Sequence, residues 1–192
     1  MAKSAQQHQS NHCIVGLINP KSPTNVGAVL RASGCYAGEA IVYTGKRYER
    51  AKQFATDTKN AQTHIPLTAK VNIFDDLPDG YQKIAFELVE GATPLPHFQH
   101  PEKAIYVFGP EDGSIPQPIL NQCDDIVYVP TIGCMNLAAS VNVLLYDRMA
   151  KQQDTVYSDE IIRHSRDTNN KLKRKTNSAN KKTAKASTEL KN

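Results

Sequence analysis

From Ile126 the chain runs through a short apolar β-type stretch, Ile126-Val-Tyr-Val129, then a Pro and a Gly, and then a helix. The turn bracketed by Pro130 and Gly133 is too short to wander, so the backbone amides of Cys134 to Leu137 fall near the helix entrance. Leu137, Val141, Leu144, Leu145 and Met149 recur at helical spacing and give that helix one apolar face. A junction of this kind sets polar main chain beside an apolar wall, where the carboxyl end of a sheet can hold a small ligand.

Similar junctions occur upstream. Cys13–Ile18 is a compact apolar run of the kind that forms a buried strand. Two prolines then force a loop, Thr24 or Asn25 can cap, and Val26, Val29 and Leu30 make the inner face of a helix ending near Gly34. Further strands are expected at Ala40–Tyr43, Val71–Phe74, Lys83–Leu88 and, centrally, Ala104–Phe108, with a polar helical segment over 48–60 and a short helix ending at about Cys123. Strands alternating with helices define an α/β fold, a mostly parallel sheet flanked by helices on both faces. The expected organisation is a disordered terminus over 1–12, one domain over 13–152 and a basic, disordered tail over 153–192. Neither a GxGxxG nor a GxxxxGK[ST] loop is present, which removes the main support for common nucleotide-binding readings.

The formal charge of +4 is unevenly distributed. Residues 161–192 hold ten Lys or Arg against Asp167 and Glu189, a balance of +8, and residues 1–160 are left at −4. A mildly acidic body with a basic arm fits a polyanion partner, most simply nucleic acid; a solvated appendage is the equally available alternative. Four cysteines without metal-ligand spacing read as reduced thiols. Neither a signal-peptide core nor a membrane-length apolar run is found, so a cytoplasmic protein without a metal site is expected.

Three strand-to-loop junctions stand out: Asn25-Val-Gly-Ala-Val-Leu-Arg31, Phe108-Gly-Pro-Glu-Asp-Gly113 and Val129-Pro-Thr-Ile-Gly-Cys-Met-Asn-Leu137. In this order they resemble the three motifs of the SpoU (TrmH-like) branch of the SPOUT superfamily, the S-adenosylmethionine-dependent RNA 2′-O-ribose methyltransferases. The resemblance runs from about Ile14 to Ala150. It implies a C-terminal trefoil knot, a rare exception to ordinary chain topology, and a homodimer pairing through the first and last helices. Val26/Val29/Leu30 and Leu137/Val141/Leu144 could serve as the dimer faces or be buried within one subunit. The resemblance also implies that S-adenosyl-L-methionine is held by Leu88, Gly91, Phe108, Gly109, Pro110, Glu111, Gly113, Val129, Ile132, Cys134, Met135, Asn136 and Leu137.

A ribose 2′-hydroxyl is a poor nucleophile, whereas a sulfonium methyl is already electrophilic, so such an enzyme mainly needs alignment and a proton acceptor. The resemblance assigns catalysis to Arg31, with Asn25, Glu111 and Asn136 around it. A guanidinium has no acceptor lone pair, so Arg31 is open to two roles, base or phosphate clamp. Asn25 would orient Arg31 or the ribose, Glu111 would cap the helix after the second loop or hold Arg31, and Asn136 would fix its loop or meet the substrate hydroxyl. RNA contact is expected from Arg31 and from the tail residues Lys171, Lys173, Arg174, Lys175, Lys181 and Lys182. Cys134 stands where the family commonly has serine, and Glu87 ends its strand where some members carry a Gly-Thr-rich turn. The preferred substrate is tRNA over rRNA; a non-catalytic RNA binder on the same scaffold is the alternative from another class.

Overall fold

The computed structural model describes residues 11–52, 65–152, 158–166 and 169–173. Its strands are β1 (Asn11–Leu17), β2 (Gly38–Tyr43), β3 (Leu67–Ala69), β4 (Gln82–Phe86), β5 (Thr93–Pro94), β6 (Ala104–Phe108) and β7 (Asp125–Tyr128). The helices are α1 (Pro23–Cys35), α2 (Arg47–Lys52), α3 (Gln117–Leu120), α4 (Leu137–Lys151) and α5 (Asp159–Ser165). All strand pairs are parallel, in the order β3-β2-β1-β6-β4-β7-β5. The expected parallel α/β architecture is therefore the one found.

Register decides where chemistry can occur. Leu17 pairs with both Tyr43 and Phe108, Phe108 with Phe86, and Phe86 with Val127. The carboxyl ends of β1, β2, β4, β6 and β7 are thus nearly level, and the loops that follow them open along one edge of the sheet.

Both faces of the sheet are covered, so the inner strands carry apolar residues at successive positions rather than alternate ones. Val15, Leu17, Tyr106 and Phe108 pack with Val26 and Val29 of α1 and Val141, Leu144 and Leu145 of α4. On the opposite face Ile14, Ile105 and Val107 meet Ile73, Ile115 and Leu120. Each of the larger fully buried side chains contributes roughly 1.5–3 kcal/mol through removal from water. Gly16 sits under Ile73: a Cβ there would lie 3.1 Å from Ile73 Cγ1, so a larger residue would push that side chain out.

Several sequence expectations shift. Val71–Phe74 is a turn, not a strand; the edge strand lies at Leu67–Ala69. The cause is local hydrogen bonding: Asp75 Oδ2 accepts from the Asn72 amide at 2.8 Å and the Asp75 amide donates to the Asn72 carbonyl at 3.1 Å. The turn sends Ile73 into the core and leaves Val71 exposed. Ser22, rather than Thr24 or Asn25, caps α1, its Oγ accepting from the Asn25 amide at 3.3 Å, with Pro23 at the first turn where no N–H is needed. β1 begins at Asn11, ahead of the expected Cys13, and the helix expected over 48–60 is seen as α2, with 53–60 outside the described residues. The apolar faces of α1 and α4 considered for a dimer are spent inside the subunit, since Val26, Val29, Val141 and Leu144 are fully buried.

α4 is fixed by its last turns. Arg148 is buried and donates to the carbonyls of Pro101 and Glu102, both at 2.6 Å, and to the Tyr106 hydroxyl at 2.9 Å. His100 lies between Tyr106 (2.7 Å) and Asp147 (2.9 Å). Its pKa is lowered by burial despite the Asp147 carboxylate, so the neutral ring accepts the Tyr106 proton at Nδ1 and donates from Nε2 to Asp147.

The chain divides into two compact units, Met1–Thr155 and Val156–Asn192. The second contains α5, a helix inside the stretch expected to lack structure. Ser158 Oγ caps it by accepting from the Ile161 amide at 3.3 Å. Asp159 and Glu160 occupy its first turn and Arg163 its last, each matching the helix dipole.

Candidate active site

The three sequence motifs converge on one hydrogen-bonded relay. Glu111, in the loop after β6, reaches across to the start of α1. Its Oε2 accepts from the Lys21 amide at 2.8 Å, and its Oε1 accepts from the Ser22 amide and from Asn25 Nδ2, both at 3.0 Å. Burial alone would raise the pKa of this carboxyl, but these donors outweigh it and hold the pKa below the ordinary value. An ionised carboxylate only accepts, so it fixes the orientation of the Asn25 amide. Asn25 Oδ1 must then face Asn136, whose Nδ2 donates to it at 3.2 Å. Asn136 Oδ1 in turn accepts from the Ala138 amide at 2.9 Å and caps α4. One carboxylate thus sets the direction of two amides from loops far apart in sequence.

Glu111 therefore caps neither α3 nor holds Arg31; it serves the loop that enters α1. Arg31 lies on α1, exposed, and its guanidinium makes no hydrogen bond or ion pair with the other described residues. The helix-face pair considered for Arg31 and Glu111 is not formed. At Gly27, one turn before Arg31, a Cβ would meet nothing within 4 Å, so this side of α1 is open.

The residues expected to hold a cofactor occupy three loops on the same edge. Leu88 and Ile132 are exposed apolar side chains on two of them, with Gly91 nearby at φ +84°, a conformation that favours glycine. Pro110 and Gly113 close a turn, the Gly113 amide donating to the Pro110 carbonyl at 3.3 Å. Gly109 has no room for a side chain: a Cβ would lie 3.1 Å from the Ile115 amide and 3.4 Å from Glu87 Oε2. Cys134 is exposed, and Val129 and Met135 are half-buried. Phe108 and Leu137 belong to the core, where Phe108 stacks on Phe86 at 5.1 Å, so they support the loops from beneath. Among the described residues, the amides from Ile132 to Met135 donate to no carbonyl or side chain. Available amides beside exposed apolar groups suit a ligand with an aromatic base and polar ends, such as S-adenosylmethionine.

Further contacts tie these loops, at Glu87, the strand-end acid, and at Arg47 and Gly45, which no sequence motif marks. Glu87 staples two loops, accepting from the Leu88 amide at 3.1 Å and the Ile115 amide at 2.9 Å. Arg47 of α2 grips Asp112 with its two terminal guanidinium nitrogens, Nη1 and Nη2, at 2.9 and 2.8 Å. The β1–α1 and β2–α2 loops are locked together: Gly45, at φ +78°, is so close to Asn19 that a Cβ would overlap its side chain. Of the tail residues, Lys171 and Lys173 are exposed, while Arg174, Lys175, Lys181 and Lys182 lie outside the described residues.

A seven-stranded parallel sheet with three motif-bearing loops tied together at its carboxyl edge is a fold shared with solved RNA methyltransferase structures. Residues 12–146 match the SpoU rRNA Methylase family, and the chain belongs to that family. Among curated relatives, a Mycobacterium avium protein described as an uncharacterized tRNA/rRNA methyltransferase is 24% identical over 140 residues, covering 69% of this chain and 45% of that protein. The chain spans about half the length of several such relatives. Among solved structures, the AdoMet-bound rRNA methyltransferase from Sinorhizobium meliloti aligns with a TM-score of 0.61 and 19% identity, covering 74% of this chain and 57% of that one. A structure concerned with 2-OH methylation of C/U34 on tRNA aligns at 0.57 with 24% identity, covering 72% of this chain and 95% of that one.

Proposed function

We propose that this protein transfers a methyl group from S-adenosyl-L-methionine to a ribose 2′-hydroxyl of RNA, with tRNA favoured over rRNA as substrate. The observation that carries the reading is the Glu111–Asn25–Asn136 relay, which joins all three motif segments and is anchored on α1, the helix that also carries the exposed Arg31. The tRNA preference draws on the likeness to the C/U34 structure, nearly all of which this chain covers.

The cofactor supplies an activated methyl group; Gly109–Gly113, Ile132–Leu137 and Leu88–Ala92 would hold it through main chain and small side chains. Glu111 is occupied by three N–H donors and acts as a structural anion. Arg31 offers five donors and no acceptor, so it serves as a clamp that orients an RNA phosphate and the adjoining ribose, and the hydroxyl proton leaves to solvent or phosphate. Lys171 and Lys173, with the basic residues after them, add affinity without sequence choice.

The same reading includes the trefoil crossing and a cytoplasmic homodimer. The insertion of β7 between β4 and β5 supports the first. Exposed Val143 and Tyr146 on the outer side of α4 support a dimer by a face other than the one first considered. No helix among the described residues is long and apolar enough to cross a membrane.

The test is methyl transfer from labelled cofactor to bulk tRNA and rRNA, followed by nuclease digestion to locate the label. Label on a ribose with wild type and a loss of at least tenfold in Arg31→Ala is the expected result. Label on a base, or equal transfer by Arg31→Ala, refutes the assignment.

A further inference from the structure

Two consecutive carboxylates leave the loop after β6 in different directions. Glu111 reaches the entrance of α1, and Asp112 reaches Arg47 at the first position of α2. We propose that Arg47 is a positioning residue for methyl transfer, gripping Asp112 so that the 109–113 loop keeps Glu111 aimed at Asn25. This rests on the function proposed above.

The geometry is that of a strut between two fixed mounts. Arg47 follows a loop already packed on β1–α1, where the Asn19 amide donates to Thr44 Oγ1 at 3.3 Å and Gly45 lies against the Asn19 side chain. Its planar guanidinium makes two parallel bonds to Asp112, which define an orientation as well as a distance. Lys21 Nζ approaches the same carboxylate at 3.6 Å, from the residue whose amide Glu111 accepts. Lys21 thus meets both carboxylates, its amide on Glu111 and its ammonium near Asp112, while Arg47 holds Asp112 from α2. Glu111 ties the loop to the start of α1 and Glu87 holds its far end through the Ile115 amide; the Arg47 grip adds a tie at Asp112, the residue next to Glu111 itself. Because the pair is solvent-exposed, it adds little to global stability. Its consequence is local, on the alignment of Asn25 and Asn136, and alignment errors well under an ångström lower turnover.

Direct RNA contact by Arg47 is the competing account, and the two differ in sign at Asp112. A strut fails when either end is removed. A phosphate contact fails only when Arg47 is removed, and improves when the competing Asp112 charge is neutralised.

The experiment measures kcat and KM for RNA, together with thermal unfolding, in wild type, Arg47→Ala, Asp112→Asn, Arg47→Lys and the double variant Arg47→Ala/Asp112→Asn. The expected result is a fall in kcat of about tenfold in both single variants, with KM for RNA changed less than about threefold. The double variant is no worse than either single one, because both disable the same contact. Lysine restores charge without the fork, so Arg47→Lys recovers only part of the rate. A rise in KM for Arg47→Ala with unchanged or improved binding in Asp112→Asn overturns the proposal in favour of RNA contact. Unchanged kcat in both single variants, in an active wild type, overturns it outright. A wild type inactive on every RNA tested removes instead the function on which it rests, and Asp112→Asn, nearly isosteric, covers the case in which Arg47→Ala does not fold.

Discussion

Replacing Glu111 by glutamine tests the relay with almost no change of shape. In the native protein one carboxylate oxygen accepts from the Ser22 amide and Asn25 Nδ2 at 3.0 Å, and the other from the Lys21 amide at 2.8 Å. Glutamine has one accepting oxygen and one donating nitrogen. With its oxygen toward Ser22 and Asn25 it keeps two bonds in neutral form and sets an NH2 against the Lys21 N–H. With the amide reversed it keeps the Lys21 bond and sets its NH2 against the other two donors. In the better orientation one bond is lost and two are downgraded, each change worth about 1 kcal/mol. The site is partly exposed and water can recover some of the loss, so the net effect on the loop is about 1–2 kcal/mol rather than about 3. If the relay is needed in the transition state, kcat/KM falls roughly tenfold for each 1.4 kcal/mol. The assay is methyl transfer at saturating cofactor, with thermal unfolding in parallel. A Glu111→Gln enzyme within twofold of wild type would show that Asn25 and Asn136 need no anion to set them. The acid side gives the same answer by titration. The folded pKa of Glu111 is depressed, so its stabilisation is complete above the ordinary carboxylate range and is lost as pH falls through the lowered value. Glu111→Gln should erase that part of the acid-unfolding profile.

The His100 site carries the opposite titration: burial lowers its folded pKa, so the unfolded chain takes up the proton first and stability declines as pH drops below about 6.5, levelling off beneath the folded value. Urea unfolding against pH should show this slope in wild type and lose it in His100→Asn. Deleting residues 161–192 removes ten basic residues and should reduce both RNA affinity and the slope of log affinity against log salt, leaving cofactor binding intact; an unchanged slope marks the tail as a solvated appendage. Tyr146→Glu, on the exposed side of α4, should shift the protein toward monomer in analytical ultracentrifugation without lowering its melting temperature by more than about 2 °C, since substitutions at exposed positions are worth about 0.5 kcal/mol or less.

Much of this was legible in one dimension because it depends on local pattern. The apolar runs of β1 and β6 and the helical spacing of α1 and α4 are properties of neighbours in sequence, and they placed the sheet and its helices. Where structure departs from local pattern, polar side chains capture the backbone, as Asn72 and Asp75 do over Val71–Phe74.

The chain's own order of residues determined which groups could do chemistry: a carboxylate, two amides, a guanidinium and several small turn-forming residues, each following an apolar run. It did not determine which of them would meet. Glu111 is within reach of either neighbouring helix in principle, and only the level register of β1, β4, β6 and β7 sends it to the start of α1 rather than to α3 or Arg31. The Arg47–Asp112 grip and the Glu87 staple join residues widely separated in sequence, so no local propensity could encode them. Hydrogen bonds of that kind are selected by the distance between strand ends, a quantity that exists only after the sheet has closed.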